Sequence, residues 1–252
     1  MIFLRFESYG EAQYGFIDRH QVTAISPHPF GAYEETEEPV PLADVRILPP
    51  VLPTKIVAVG VNYMAHAKEM GQDLPAEPLI FLKPASSVIG SLDPIIYPKM
   101  SSRVDHEAEL AVVIKKRAKN VSEAQALDFV LGCTCFNDVT ARDLQKKDGQ
   151  WTRAKGFDTF SSIGPWIVTD LDTSNLVIEC YLNGVLKQKG TTRDMVFNVP
   201  QLVSYISSIM TLEPGDVIAT GTPPGIGPMQ VGDRVDVNIE GIGVLSNSVL
   251  GS

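Results

Sequence analysis

Short apolar runs, many of them β-branched, recur along the chain with turn residues between them. Ile2–Phe6, Tyr14–Ile17 and Gln21–Ile25 predict three opening strands, followed by a Pro- and Glu-rich stretch from Pro27 to Pro41. Next comes Leu48-Pro49-Pro50-Val51-Leu52-Pro53. Proline lacks a backbone donor and fixes φ, so this cluster predicts a linker. Beyond it, strands are predicted at Ile56–Val59, Leu79–Leu82, Glu109–Ile114, Gly132–Phe136, Pro165–Val168 and Leu176–Leu182. Asn183-Gly184 between two alternating runs predicts a type I′ hairpin. Arg234–Glu240 alternates cleanly, and Gly241-Ile242-Gly243 turns it into Val244–Val249. Helices are few. Ser122 with Gln125 has the form of a capping box ahead of a helix over Ala124–Val130. Asn198, with Pro200 in the first turn, starts a helix over Gln201–Met210 whose Leu202, Ile206 and Ile209 share a face. Strands dominate without regular βαβ alternation, which predicts a strand-rich α+β fold, a mixed β-roll or β-sandwich, and not a doubly wound sheet. The expected division is a small N-terminal α+β domain over residues 1–50 and a main domain over 51–252.

Charge narrows the range of partners. A net charge of −9 counts against nucleic acid, which needs lysine and arginine in excess. No apolar run approaches the roughly 18 residues of a membrane span, and charge interrupts Met1–Glu7 too early for a secretory segment. The expected location is cytoplasmic, with no membrane partner. Three cysteines without a CxxC spacing predict buried free thiols, Cys133 and Cys135 on one side of a strand. Within this acidic chain, Arg142, Lys146, Lys147, Arg153 and Lys155 form a basic island, offset only by Asp143 and Asp148. Such an island fits an anion site, and on charge alone it fits a solvated helix face as well.

Several chemistries are excluded. Gly221-Thr222-Pro223-Pro224-Gly225-Ile226-Gly227 lacks the lysine of a phosphate-binding loop, and neither HExxH nor GxSxG occurs. Glu107 and Glu109 would project from one face of a strand, with Ala111 and Val113 continuing that face. Two carboxylates there repel each other unless a cation lies between them, and hard oxygens suit Mg²⁺, Mn²⁺ or Ca²⁺. From the motif alone, a strand end emerging into water with both carboxylates solvated is the more common explanation. Asp138 closes an apolar strand before a helix carrying Arg142 and Gln145, either as a site residue or as a helix cap. His66 and Glu69, three apart, would lie side by side on a helical turn, the arrangement of an imidazole base oriented by a carboxylate or of an ordinary surface pair.

Taken together, these segments resemble the fumarylacetoacetate hydrolase family from about Val51 onward. The matching stretches occur in the family's order: Val59-Gly60-Val61-Asn62-Tyr63 with His66 and Glu69, Phe81-Leu82-Lys83-Pro84, and Val104-Asp105-His106-Glu107-Ala108-Glu109-Leu110. Asn137-Asp138-Val139-Thr140-Ala141-Arg142-Asp143, Lys155-Gly156-Phe157-Asp158-Thr159, Ile163-Gly164-Pro165-Trp166, Asn183-Gly184, Pro214-Gly215-Asp216 and Thr220-Gly221-Thr222-Pro223 follow.

The resemblance implies a β-roll catalytic domain, a homodimer and no organic cofactor. It implies Mg²⁺, with Mn²⁺ as the alternative, held by Glu107, Glu109 and Asp138. His66 and Glu69 would be the catalytic dyad on a short lid segment, and Lys155 would lie beside the metal. Arg142, Gln145 and Thr222 would hold the carboxylate and oxo groups of a small anionic 2-oxo acid. Lys83 matches a further motif position and is expected among the substrate contacts, whereas His106, at a position often aromatic in the family, is expected to be structural. The first expected reaction is hydrolytic C–C cleavage of an acylpyruvate-like 1,3-dicarbonyl through a stabilised enolate. Decarboxylation of oxaloacetate and isomerisation of a hydroxy-dienedioate use the same enolate and remain open, as does, more remotely, a non-catalytic ligand-binding role.

Overall fold

The computed structural model describes residues 1–36 and 38–252; Glu37, within the Pro- and Glu-rich stretch, lies outside them. The strands Ala108–Ile114 and Val130–Asp138 run antiparallel at the centre of a large mixed sheet. On one side of this pair follow Val217–Ala219, Ile56–Gly60 and the edge strand Leu79–Lys83. On the other side Ser161–Val168 leads through Ile2–Ser8 to Glu11–Asp18 and Gln21–Ser26. The N-terminal strands thus extend the main sheet, because Ile2 and Phe3 pair with Val168 and Ile167.

A second, five-stranded sheet contains Val177–Leu182, Val185–Thr191, Arg234–Ile239 and Gly243–Gly251. Its apolar side packs on one face of the large sheet, joining Leu110, Val112, Cys133 and Cys135 to Ile178, Val237 and Leu245. The opposite face carries Ala111, Val113, Phe136 and Ile163 into a second core with Phe3 and Ile56. The 108–114 strand is therefore covered on both sides, as its unbroken apolar run requires. A charged side chain on such a strand must find compensation inside the protein.

The hairpin at Asn183-Gly184 has positive φ at both positions, 53° and 77°, as a type I′ turn requires. The helix predicted from Asn198 spans Val199–Ile209 and has a complete capping box between Asn198 and Gln201. Val199, Leu202, Val203, Ile206 and Ser207 are its buried residues, while Ile209, in the last turn, is exposed.

Two expectations are corrected. The segment after Ser122 is a 3₁₀ helix over Glu123–Phe129, not an α-helix: the Ser122 hydroxyl bonds the Gln125 side chain at 2.9 Å, and Gln125 N bonds Ser122 O in the tighter i to i+3 pattern. The proline cluster at 48–53 is not a free linker. Pro50, Val51 and Pro53 are buried, Val51 inside the second core, and a methyl on Gly90 would lie 2.9 Å from Pro49 N.

Cys133, Cys135 and Cys180 are buried free thiols. Among the described residues no helix is long and apolar enough to cross a membrane.

Gly132 shows how closely the central strands approach. A methyl there would overlap the carbonyl oxygen of Val168 and sit 2.8 Å from Ile167 Cγ2. Gly132→Ala is expected to cost about 2 kcal/mol or more, because rigid backbone has to move. Thermal melting checks this, and a variant melting within about 2 °C of wild type would contradict it.

Candidate active site

The site forms where strand alternation meets the end of the central pair. Glu109 and Phe136 are directly opposite, and Glu107 O accepts Asp138 N at 2.9 Å. Glu107, Glu109 and Asp138 therefore emerge on the same face. Ala111, Ala219 and Ala58 follow in register across three strands, so the row next to the carboxylates is short-chained. All three carboxylates are buried, and one oxygen from each lies within 4.8 Å of the others. Asp138 is not a helix cap: Ala141 occupies that position ahead of α2 (Arg142–Asp148).

Such a cluster needs positive charge. Lys155, at the end of α3 (Thr152–Lys155), places its ammonium 2.8 Å from Glu107 Oε2 and 2.5 Å from Asp138 Oδ2. Its Nζ also lies 5.2 Å from the centre of the Phe81 ring. Arg142 pairs with Glu107 through Nη2, with Asp105 through Nε at 2.9 Å, and with Gln145 Oε1 through Nη1 at 2.6 Å.

The basic island thus divides: Arg142 and Lys155 are buried in the site, Lys146 borders its cavity, and the exposed Arg153 pairs with Asp148. Lys83, expected to touch substrate, stands elsewhere. It donates to Asp138 Oδ1 at 2.5 Å and Phe160 O at 2.8 Å, is buried, and does not border the cavity. Its place is behind Asp138, where it fixes the direction of that carboxylate.

Burial alone would raise the pKa of Glu107, but Lys155 and then Arg142 outweigh it and hold it below the usual carboxylate range. Burial, followed by the charges of Asp138 and Glu107, pushes Glu109 well above that range. Burial also opposes charge on Lys155, but Asp138 and Glu107 keep its pKa raised; for Lys83 burial prevails and the pKa is lowered. The raised Glu109 marks a deficit of positive charge among three hard oxygen donors. A divalent cation removes such a deficit, so the residues present fit Mg²⁺ or Mn²⁺.

The carboxylates form one end of a cavity of about 220 Å³. His66, Arg142, Gln145, Lys155, Thr222 and Trp151 are among the residues that line it. His66 lies on α1 (Met64–Met70), a helix ended by Gly71 at φ 64°. Its Nδ1 is 2.9 Å from Glu69 Oε2, and Glu69 Oε1 accepts Gly225 N at 3.0 Å. The helix is thereby fastened across the cavity to the 220–225 loop. Asn62, fully buried, secures its base: Nδ2 donates to Thr220 O and Phe197 O at 2.7 and 3.0 Å, and Oδ1 accepts Phe197 N at 2.8 Å. Gly221 has no side chain because a methyl would lie 2.7 Å from Asn62 Cβ. Val61, at φ 57°, holds a left-handed backbone unusual for a β-branched residue beside the cavity.

Sequence reasoning missed Gln188, Trp151 and Gln72. Trp151 stacks edge-on with Phe81 at 5.1 Å and occupies the space a side chain at residue 60 would need. The Gly60–Trp151 exchange of volume has no local sequence signature. Gln72 borders the cavity just beyond the α1 cap. Gln188 is buried in the second sheet and accepts from Ala108 N at 3.0 Å, while its amide nitrogen donates to Thr222 Oγ1 and Pro223 O, both at 2.8 Å. Nothing in the run Val185-Leu186-Lys187-Gln188-Lys189 marks that one amide as buried. His106, expected to be structural, is buried with Nδ1 at 3.0 Å from Gln188 Oε1, and burial lowers its pKa.

The double substitution Glu107→Gln with Glu109→Gln is expected to abolish Mg²⁺ and Mn²⁺ binding in calorimetry while the fold persists by circular dichroism. In the unsubstituted protein a cation has to displace the proton that the raised pKa of Glu109 retains. Affinity is therefore expected to weaken as pH falls toward that value, with proton release on binding. Affinity that is unchanged in the double variant would discard this ligand set.

Comparison with known proteins gives the family. Residues 55–250 match the model described as fumarylacetoacetate (FAA) hydrolase, C-terminal, and residues 1–50 match one described as Rv2993c-like, N-terminal. The structure of a 2-hydroxyhepta-2,4-diene-1,7-dioate isomerase from Mycobacterium marinum is 46% identical with a TM-score of 0.94, covering 100% of this chain and 99% of that one. The human mitochondrial oxaloacetate tautomerase FAHD2A is 44% identical over 224 residues, 84% of this chain and 71% of its own. A maleylpyruvate hydrolase from Sphingobium, solved with manganese and pyruvate, is 31% identical with a TM-score of 0.83, both chains covered fully. The family model spans most of the chain, and the chain belongs to the fumarylacetoacetate hydrolase family.

Proposed function

We propose that the protein is a divalent-metal-dependent tautomerase or isomerase of a small 2-oxo acid, moving a proton between carbons or between carbon and the 2-oxygen. The observation that carries this reading is that His66, paired with Glu69, borders the same cavity as the three carboxylates. Glu69 Oε2 faces Nδ1 at 2.9 Å as a hydrogen-bond acceptor, which places the imidazole proton on Nδ1 and leaves the Nε2 lone pair as a base.

Arg142 and Gln145 bind the substrate carboxylate. Gln145 Oε1 is already taken by Arg142, so its Nε2 offers N–H groups to the cavity. His66 removes a proton from the carbon beside the 2-oxo group and can return it at that carbon or farther along a conjugated chain. Lys155 keeps a positive charge next to the oxygen on which negative charge develops. Held by Glu107, Glu109 and Asp138, Mg²⁺ or Mn²⁺ supplies Lewis-acid polarisation of the 2-oxo group and two positive charges. Among the described residues Lys83, Arg142 and Lys155 pair with Asp138 and Glu107, and Glu109 is left with the Gly221 N–H as its hydrogen-bond partner.

The names of the isomerase and tautomerase relatives, at 44–46% identity, favour proton transfer as the reaction. Hydrolytic cleavage of an acylpyruvate is the second reading, favoured by the more distant maleylpyruvate hydrolase; there His66 would take its proton from water.

Ultraviolet assays of oxaloacetate enol–keto exchange, a hydroxy-dienedioate and an acylpyruvate, with Mg²⁺ or Mn²⁺ and with chelator, separate the readings. His66→Asn is expected to lower kcat about 10²–10⁴-fold with ligand binding retained. A wild-type protein inert toward all three compounds, or a variant at full rate, would defeat the proposal.

A further inference from the structure

Part of the cavity wall is aromatic, and its members hold one another in place. Phe81, on the edge strand Leu79–Lys83, has its ring centre 5.2 Å from Lys155 Nζ and 5.1 Å from the ring centre of Trp151, which meets it edge-on at 78°. The indole continues the wall to Gly60, where a methyl would lie 2.8 Å from Trp151 Cζ3 and 2.9 Å from Cη2. Gly60, Phe81, Trp151 and Lys155 all border the cavity. The indole is thus backed by the strand end on one side and by a ring on the other, and close packing leaves it no space to retreat.

The same tryptophan opens α3, and Lys155 N donates to Trp151 O at 2.9 Å. One helical turn, about 6 Å along the axis, therefore fixes this wall relative to the ammonium beside Glu107 and Asp138. A 2-oxo acid with its carboxylate on Arg142 and Gln145 and its 2-oxygen beside Lys155 has Phe81 and Trp151 left as the surface for its side chain. Room there is short. One benzene molecule fills an apolar cavity of about 150 Å³. The whole chamber is about 220 Å³ and has to hold a cation and the 2-oxo carboxylate as well. An extended chain can lie along the wall, whereas a ring attached next to the 2-oxo group collides with the indole.

We infer that Trp151, seated in the space that Gly60 leaves open, sets the size of the substrate: it admits 2-oxo acids with an extended, unbranched side chain and excludes those carrying a ring beside the 2-oxo group. This rests on the proposed 2-oxo acid chemistry and narrows its substrate class.

The test uses oxamate, N-propyloxamate and N-phenyloxamate, in which nitrogen replaces the enolisable carbon, titrated calorimetrically into the full-length protein with saturating Mg²⁺. Wild type is expected to bind the propyl compound about tenfold or more tightly than the phenyl compound. Trp151→Leu should lower that ratio about tenfold, by a gain in affinity for the phenyl compound. Should the leucine variant fail to fold or lose oxamate, Trp151→Phe, which keeps a ring against Phe81, is titrated in its place and is expected to shift the ratio in the same direction. Equal binding of the two N-substituted acids by wild type, failure of wild type to bind the propyl compound, or a ratio unchanged by the substitution overturns the inference and leaves the 2-oxo acid function standing. Loss of oxamate in both variants also overturns it, because Trp151 would then serve only to support Lys155. Wild type that does not bind even oxamate overturns the 2-oxo acid reading as well.

Discussion

Everything at the site follows from three carboxylates being forced together inside a protein interior. Strand alternation and the pairing of the two central strands put Glu107, Glu109 and Asp138 on one face, where bulk water cannot screen them. The surrounding sequence is arranged against this repulsion. Lys155 bridges Glu107 and Asp138, Arg142 pairs with Glu107 and with Asp105, and Lys83 supports Asp138 from behind. What compensation remains incomplete is concentrated at Glu109, whose own contact is the neutral Gly221 N–H at 2.8 Å. A buried charge deficit of this kind is a cost to the fold alone and a means of attracting a cation.

The parts of this design that were legible in the sequence are those encoded locally. Carboxylates beside an apolar strand run single out Glu107 and Glu109 without deciding between a site and a solvated strand end, and it is the resemblance to the family that groups them with Asp138. Asn183-Gly184 and the Asn198–Gln201 box likewise carry their geometry in a few neighbouring residues. Local signals can also mislead. Ser122 and Gln125 have the spacing of a helix start, yet their side chains bond each other and the turn tightens. The prolines at 49–53 read as a linker because solvent exposure is not encoded in proline chemistry; packing against Gly90 and the second core decided otherwise.

Relations spanning long stretches of chain were not legible. Gln188 reaches Ala108 and Thr222 from a hairpin in the other sheet, and nothing near residue 188 announces those partners. Lys83 lay in a recognised motif, but only the fold shows that its ammonium points at Asp138 from outside the cavity. The basic island was ambiguous for a similar reason. Two of its five cations turn inward because α2 and α3 meet at the strand ends, a three-dimensional fact with no trace in the charge pattern.

The fastening of α1 has a kinetic meaning. His66 and Glu69 stand on the same seven-residue helix beside the cavity, and Glu69 also accepts from Gly225 N. A displacement of α1 would therefore shift the proposed base and break its partner's anchor in one movement. In the proposed chemistry such coupling would tie proton transfer to the fastened arrangement of the helix, so that the orientation of the base and access to it change together.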